Sequence, residues 1–270
     1  MMATAVKNIV RPYAAEILGI QKETEHEWTF RLKSDAKVAH GQFMQLSIPK
    51  IGEAPISVSG QGDGWLEFTL RAVGKVTDEI FRKEVGDILF IRGPYGHGWP
   101  MEELRGKHLV VVSGGTGIAP VRSLLRLAET EESPFIDVTL VSGFKDHTGI
   151  VFKDDLARWE KNPKFKTIYT LDNEEMGPWH KGFVTNYCVN IGLQNFGDNY
   201  AILVVGPPPM MHFTGLKLIE CGAKVDHIWM SFERKMQCGV GKCGNCRIDE
   251  TYVCLDGPVF PYAKAKYLVD

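Results

Sequence analysis

Apolar and polar positions change rhythm once along this chain, near residue 101. Before that point, "AAEILGIQKE", "EWTFRLKS", "GQFMQLSIP", "APISVSG" and "GWLEFTLRAVG" are short, rich in β-branched and aromatic residues, and partly alternating, as half-buried strands are. Gly41, Pro49, Gly52, Gly60, Gly62, Gly64 and Gly74 punctuate them. "TDEIFRKEV" breaks the pattern, with Ile80, Phe81 and Val85 at helical spacing and Thr77 read as the N-cap. "DILFIRGPYG" then reads as a closing strand and turn. Many short strands with one interposed helix predict a small β-barrel.

Beyond residue 101 the pattern becomes strand–helix alternation. "HLVVVSG" precedes the helix "APVRSLLRLAE", and "FIDVTLVSG" precedes "VFKDDLARWE". "FKTIYTL" precedes a weaker helix around "FVTNYCVN", and "YAILVVG" precedes "PPMMHFTGLKLIEC". Apolar strands alternating with amphipathic helices predict a doubly wound parallel sheet. From about Ser231 onward, little periodic structure surrounds a group of cysteines. The expected organisation is a barrel over residues 1–101, an α/β domain over 102–230 and a cysteine segment over 231–270.

A net charge of −2 gives no support to bulk binding of nucleic acid or of an anionic membrane. No apolar run approaches the roughly 18 to 20 residues that span a bilayer. The start, "MMATAVKNIVRPY", lacks the basic and apolar regions of a signal peptide, so a cytoplasmic protein is expected. In that reducing setting clustered cysteines are ligands or redox groups more often than disulfides.

Cys238, Cys243, Cys246 and Cys254 have the spacing C-x4-C-x2-C-x7-C, whose first three members match the plant-type loop for a 2Fe–2S cluster. Gly239, Gly241 and Gly244 would let the loop wrap such a cluster closely. A four-cysteine zinc site needs the same number of sulfurs, but usually as two C-x2-C knuckles, and here there is one. Disulfides are the remaining option. Cys188 and Cys221, in or at the end of helical stretches, read as buried hydrophobes. No pair among His97, His147, His180 and His212 has metal-ligand spacing.

"SGGTGIAP" sets Gly114, Gly115 and Gly117 between a buried strand and a helix, where backbone amides can meet a pyrophosphate. A tight turn without a ligand would use the same glycines. "LVVGPPPMM" puts Gly206 and Pro207 at the end of another apolar strand, the usual ligand edge of an open α/β sheet. In the barrel, Ser57 sits within an apolar strand and "VGKVT" opens a helix.

These signals, in this order, resemble the ferredoxin–NADP reductase superfamily, and the cysteine segment narrows the match to electron-transfer subunits of multi-subunit reductases. "EWTFRL", "PKIGEAPISVSG", "VGKVTDEIF", "IRGPYGHGW", "GGTGIAP", "VGPPPMM" and "ERKMQCGVGKCGNC" most resemble the B-subunit family of anaerobic sulfite reductases, over essentially the whole chain. Dihydroorotate dehydrogenase electron-transfer subunits and sulfhydrogenase gamma subunits share the plan.

The resemblance implies an FAD-binding barrel, a nicotinamide-nucleotide domain and a 2Fe–2S segment. It implies that Pro55, Ile56 and Ser57 lie in the flavin motif R-x-Y-S, with Ser57 near flavin N5, although Ala54 and Ile56 replace its arginine and tyrosine. Gly74, Lys75, Val76 and Thr77 would take the pyrophosphate, and Arg71 the phosphates or ribityl chain. Gly115, Thr116, Gly117, Ile118, Ala119 and Pro120 match the nicotinamide-nucleotide loop. Gly206, Pro207, Pro208 and Met210 match C-G-P-P-x-M, with Val205 in place of the cysteine.

The implied partners are a sirohaem catalytic subunit, reducing sulfite to sulfide, and a ferredoxin-like iron–sulfur subunit. NADH is expected ahead of NADPH, because the strand ends carry Asp146 beside Lys145 and the acidic "LDNEE". A free flavin reductase would need no cysteine segment. A metal-binding regulator on a degenerate nucleotide fold would need no intact glycine loops.

Overall fold

The computed structural model describes residues 8–268; the first seven residues, on which part of the reading of the chain's start rests, and the last two lie outside it. Its N-terminal part is a closed barrel of β1 (Tyr13–Lys22), β2 (Glu27–Lys33), β3 (Phe43–Ile48), β4 (Gly52–Gly62), β5 (Trp65–Arg71) and β6 (Ile88–Tyr95), in the order β1-β2-β5-β4-β3-β6. Every pairing is antiparallel. Phe30, Leu32, Met44, Leu46, Phe68 and Ile91 point inward and are fully buried. The strand period of two sends their neighbours outward.

Between β5 and β6, α1 (Lys75–Ile80) caps the barrel and sinks Ile80 into its core. Burying such a side chain stabilises by about 2 kcal/mol. The helix begins three residues earlier than its sequence suggests. Gly74 is the N-cap and Thr77 the third helical residue, whose hydroxyl accepts from the amides of Val73 (3.0 Å) and Gly74 (3.2 Å). A hydroxyl reaching back in this way serves the free amides as well from inside the helix as from its cap.

After α2 (Met101–Leu104), the chain builds β7 (His108–Gly114), α3 (Ala119–Ala128), β8 (Asp137–Phe144), α4 (Lys153–Lys161), β9 (Phe165–Leu171) and the short β10 (His180–Lys181). It returns through β11 (Tyr200–Val205), α5 (Pro208–Glu220) and β12 (Ile228–Ser231). The sheet order is β10-β9-β8-β7-β11-β12, all parallel, as the doubly wound reading expects. The weak helix around residue 188 is a 3-10 run, Val184–Ile191, whose Val, Thr and Asn residues are poor α-formers.

The cysteine segment carries a small hairpin, β13 (Arg247–Ile248) and β14 (Thr251–Tyr252), followed by α6 (Val253–Asp256). It ends in β15 (Val259–Pro261) and α7 (Tyr262–Ala265). Because β15 pairs antiparallel with β12, the segment also closes one edge of the nucleotide-type sheet.

Helix α3 joins the barrel to the α/β sheet. Arg122 is 3% exposed and donates to Glu67 of β5 (2.9 Å) and to Asp155 of α4 (2.5 Å). Arg126 reaches the same two carboxylates, and Arg31 of β2 pairs with Glu67 at 2.7 Å. Nearby, Glu23 accepts the amide of Phe152 at 2.9 Å. No helix among the described residues is long and apolar enough to cross a membrane.

Candidate functional site

The chain leaves β7 to build one side of the sheet and comes back at β11 to build the other, so the C-terminal ends of these strands lie side by side. Ligands of open parallel sheets bind at such a switch point. Two glycine turns meet there. A Cβ on Gly117 would stand 2.6 Å from the Val205 carbonyl oxygen and 2.8 Å from the Gly206 Cα. Gly117 is therefore needed for one turn to pack on the other. Gly115, at φ +55°, has open space where a Cβ would be, so it and half-exposed Thr116 offer backbone to a ligand.

Ile118, Ala119 and Pro120, which the sequence placed in the same loop, are buried, and the Pro120 carbonyl accepts from Trp99 Nε1 at 3.2 Å. On the facing turn Pro207 and Pro208 are exposed, while Met210 packs on Gly206 and Gly114. Val205 is 1% exposed and belongs to the core.

The ends of β8 and β9 are acidic. Asp146 accepts the amides of Thr148 (3.0 Å) and Gly149 (3.3 Å), and the Thr148 hydroxyl and these amides hold its carboxyl below the usual range. Burial, together with the Asp146 charge, raises Asp172. Glu174 accepts the backbone amide and Nδ1 of His147. A hollow of about 310 Å³ beside them is lined by Ile150, Leu156, Tyr169, Met176 and Trp179 among others. Another, of about 430 Å³, lies at the β3–β4 turn, and neither includes Ser57 or Gly115.

On the barrel, cross-strand register sorts the candidate flavin residues. Ser57 lies opposite Phe43 and Pro55 opposite Gln45, while Ile56 lies opposite the inward-pointing Met44. Ser57 and Pro55 therefore stand on the outer face, and Ile56 packs against the barrel core. Phe43 is in turn paired with Tyr95 of β6, which makes a row Ser57–Phe43–Tyr95. Val73, Gly74 and Lys75 at the start of α1 are exposed. Arg71 is paired with buried Glu27, and its side chain is 56% exposed.

The row ends at the cysteine loop. The Tyr95 ring lies 3.1 Å from where a Cβ on Gly239 would be. Gly239, Gly241 and Gly244 all have φ between +69° and +83°, the left-handed region that other residues adopt at a cost. This coil turns amides onto sulfur. Cys238 Sγ accepts from Val240 (3.4 Å), Lys242 (3.2 Å) and Cys243 (3.4 Å), and Cys254 Sγ accepts from Gly241 (3.2 Å). Burial opposes ionisation of Cys238, but these amides overcome it and bring the thiol down to about 6. Burial and the adjacent Cys246 push Cys254 up to about 12.

Among the described residues, no three Cys, His, Asp or Glu side chains converge as ligands of one ion. The Cys243 amide donates to Cys238 Sγ (3.4 Å) and the Cys254 amide to Cys246 Sγ (3.5 Å), so the four cysteines lie in one amide-lined coil. Backbone amides turned onto clustered cysteine sulfurs fit an iron–sulfur cluster, whose sulfurs and thiolates accept such bonds. Cys246 and Cys254 are buried and Cys243 is exposed.

The sequence reading gives no site role to Arg92, which the structure places at the cysteine loop. Arg92 of β6, 6% exposed, donates Nε to Glu53 (2.9 Å) and Nη1 to the Tyr95 hydroxyl (2.7 Å) and to the Cys238 carbonyl (2.7 Å). Its Nη2 reaches Glu53 and the Gln237 carbonyl. A charge inside the apolar run "ILFIRGPY" is visible in the sequence, but its partners are not.

A flavin-reductase barrel, a parallel sheet with a ligand crevice and a four-cysteine coil together define a ferredoxin reductase-like oxidoreductase. The oxidoreductase NAD-binding domain family matches residues 111–215, and the iron–sulfur cluster binding domain of dihydroorotate dehydrogenase B matches residues 233–266. The chain is 33% identical to the sulfhydrogenase 2 gamma subunit of Pyrococcus furiosus, over 94% of this chain and 96% of that one. It is 32% identical to a probable dihydroorotate dehydrogenase B electron transfer subunit of Thermococcus kodakarensis, over 91% and 93%. A solved NADH-dependent reduced ferredoxin–NADP oxidoreductase, studied for flavin-based electron bifurcation, is 26% identical with a TM-score of 0.78, over 100% of this chain and 91% of that chain. The chain belongs to the family of NAD-dependent, iron–sulfur-binding electron-transfer subunits represented by these relatives.

Proposed function

We propose that this chain accepts electrons from NADH on an FAD held by the barrel and delivers them singly, through a 2Fe–2S cluster on Cys238, Cys243, Cys246 and Cys254, to a partner subunit. The observation that carries the reading is the row Ser57–Phe43–Tyr95, which joins the proposed flavin strand to the Gly239 turn of the cysteine loop. A bound flavin supplies the exchange between a two-electron donor and a one-electron acceptor. The chain's own residues bind and orient.

In this reading Ser57 offers its hydroxyl to the reactive edge of the flavin, with Pro55 beside it and Ile56 shaping the strand from within. Gly74, Lys75, Val76 and Thr77 present the start of α1 to the pyrophosphate, and the exposed part of Arg71 reaches toward it. Gly115 and Thr116 approach the nicotinamide nucleotide, while Gly117, Ile118, Ala119 and Pro120 hold that turn in place. Gly206, Pro207, Pro208 and Met210 form the facing wall. Asp146, Asp172 and Glu174 favour a ribose hydroxyl over a 2′-phosphate, hence NADH over NADPH.

The full-length likeness to sulfhydrogenase gamma and dihydroorotate dehydrogenase subunits best supports a catalytic partner of one of those kinds. The second reading, rested on the run of motifs from "PKIGEAPISVSG" to "ERKMQCGVGKCGNC", is sulfite reduction with a sirohaem subunit and a ferredoxin-like subunit. Six unpaired cysteines support a reducing, cytoplasmic setting for either.

Anaerobic titration of the purified chain with NADH, then NADPH, tests the relay by absorbance and electron paramagnetic resonance. Flavin bleaching followed by a reduced 2Fe–2S signal, faster with NADH, is expected. Bound zinc without flavin would overturn it. Co-purification from the source cell, with sulfite, dihydroorotate and hydrogen supplied in turn, separates the partner readings.

A further inference from the structure

We infer that Arg92 is a positioning residue that fastens the cysteine loop to the barrel and, balanced by Glu53, sets the charge beside the cluster; the inference rests on the electron-transfer reading above.

Arg92 comes from β6 and yet binds two consecutive carbonyls of the cysteine loop, Gln237 and Cys238. The second belongs to a proposed cluster ligand. The same guanidinium holds the Tyr95 hydroxyl at 2.7 Å, and the Tyr95 ring supports Gly239. Three successive residues of the loop, 237 to 239, are thus located from one barrel strand. This contact joins the His97 amide's bond to the Gly257 carbonyl in holding the cysteine segment against the barrel.

Fastening two carbonyls does not by itself need a charge, since a neutral donor would serve. Burying a cation carries a desolvation cost of several kcal/mol unless it is well paired. Here the Arg92 side chain is 7% exposed, and its counter-charge, Glu53, is 29% exposed. The positive end lies in the drier place and faces the cysteine loop, while the negative end lies toward water. A less screened positive charge favours the reduced, more negative state of the cluster. Glu53 opposes this from further out.

The two charges therefore make opposite predictions. Arg92→Gln should lower the midpoint potential of the cluster, Glu53→Gln should raise it by a smaller shift, and the double variant should return toward the wild-type value. Arg92→Lys keeps the charge without the forked bonds, so it should hold the potential closer to wild type than Arg92→Gln while retaining less iron than wild type. The measurement is an electron paramagnetic resonance-monitored redox titration of the purified full chain, with iron and sulfide content determined on each sample. Shifts of the same sign in both single variants, or none in iron-replete samples, would overturn the inference and leave the electron-transfer reading standing. A wild-type chain holding no reducible cluster would overturn both.

Discussion

Arg122 of α3 and Glu67 of β5 meet 2.9 Å apart across the boundary between the barrel and the α/β domain, with side chains only 3% and 6% exposed. Around them Arg31, Arg126 and Asp155 complete a network that satisfies both charges. Such a network can be close to neutral as a whole, but removing one member strands the others. Glu67→Gln should therefore cost about 3 kcal/mol, because three arginines lose a shared acceptor charge. Urea unfolding should show a lower midpoint at unchanged slope. A loss below about 1 kcal/mol would put this network with exposed surface pairs, which contribute little.

Two acids at this boundary titrate in opposite directions. Burial works to raise Asp155, but Arg122 and Arg126 outweigh it and hold the carboxyl below its ordinary 3.8. Its folded pKa is depressed, so its contribution is present above that value and lost as pH falls through the folded one. Glu23 is raised above 4.5, chiefly by burial, so its contribution is fully present below 4.5 and is lost as pH rises through the raised folded value. The loss caused by Asp155→Asn should be larger at pH 7 than at pH 3. For Glu23→Gln the difference from wild type should be less unfavourable at pH 7 than at pH 4. Parallel denaturation curves at these pH values decide it; the same trend in both variants would contradict the assignment.

The paired glycine turns separate fold from ligand approach. Gly117→Ala drives a methyl into the Val205 carbonyl and the Gly206 backbone, an overpacking that costs about 2 to 3 kcal/mol. Gly115→Ala meets nothing and costs about 1 kcal/mol for its left-handed backbone. The expected split is a clear fall in thermal midpoint for Gly117→Ala. Gly115→Ala should show a small fall, with weaker NADH-driven flavin bleaching. Equal thermal losses would mean that the turns do not pack as described.

The six barrel strands and β7, β8, β9 and β11 are legible in the sequence because burial on one or both faces imposes its own period, whereas the short β10 and β12 are not. The cysteine coil is legible because spacing and glycine content are local properties. What escapes is set by contacts distant in sequence: Arg92 lies 146 residues from Cys238 and 39 from Glu53. Strand β15 escapes for the same reason, since three residues gain strand geometry only by pairing with β12. Thr77 shows a subtler limit. Its hydroxyl serves the helix start, but from the third helical position, and the residue type alone does not distinguish the two.

Iron binding should follow the four sulfurs of the coil and no others. Cys254→Ser and Cys243→Ser should each lose most of the iron, although one residue is buried and the other exposed. Cys188, 1% exposed with a thiol pushed up to about 12 by burial, packs in the core, so Cys188→Ala should keep its iron. Metal analysis of the three purified variants checks this. Iron retained by Cys243→Ser would take that residue out of the ligand set.

Gln45 gives the reverse kind of prediction, a substitution expected to stabilise. Its side chain is fully buried on β3, between Pro55 and Arg92 in the register, and neither carboxamide atom has a hydrogen-bond partner among the described residues. An unpartnered buried amide costs about 1 to 3 kcal/mol. Methionine has nearly the same shape and no such requirement. Gln45→Met should therefore raise stability by about 1 to 2 kcal/mol, read as a higher urea midpoint. Destabilisation would mean that the carboxamide holds an ordered water in the folded protein. Flavin and iron content measured on the same samples would then show whether that water also supports the outer face of the barrel.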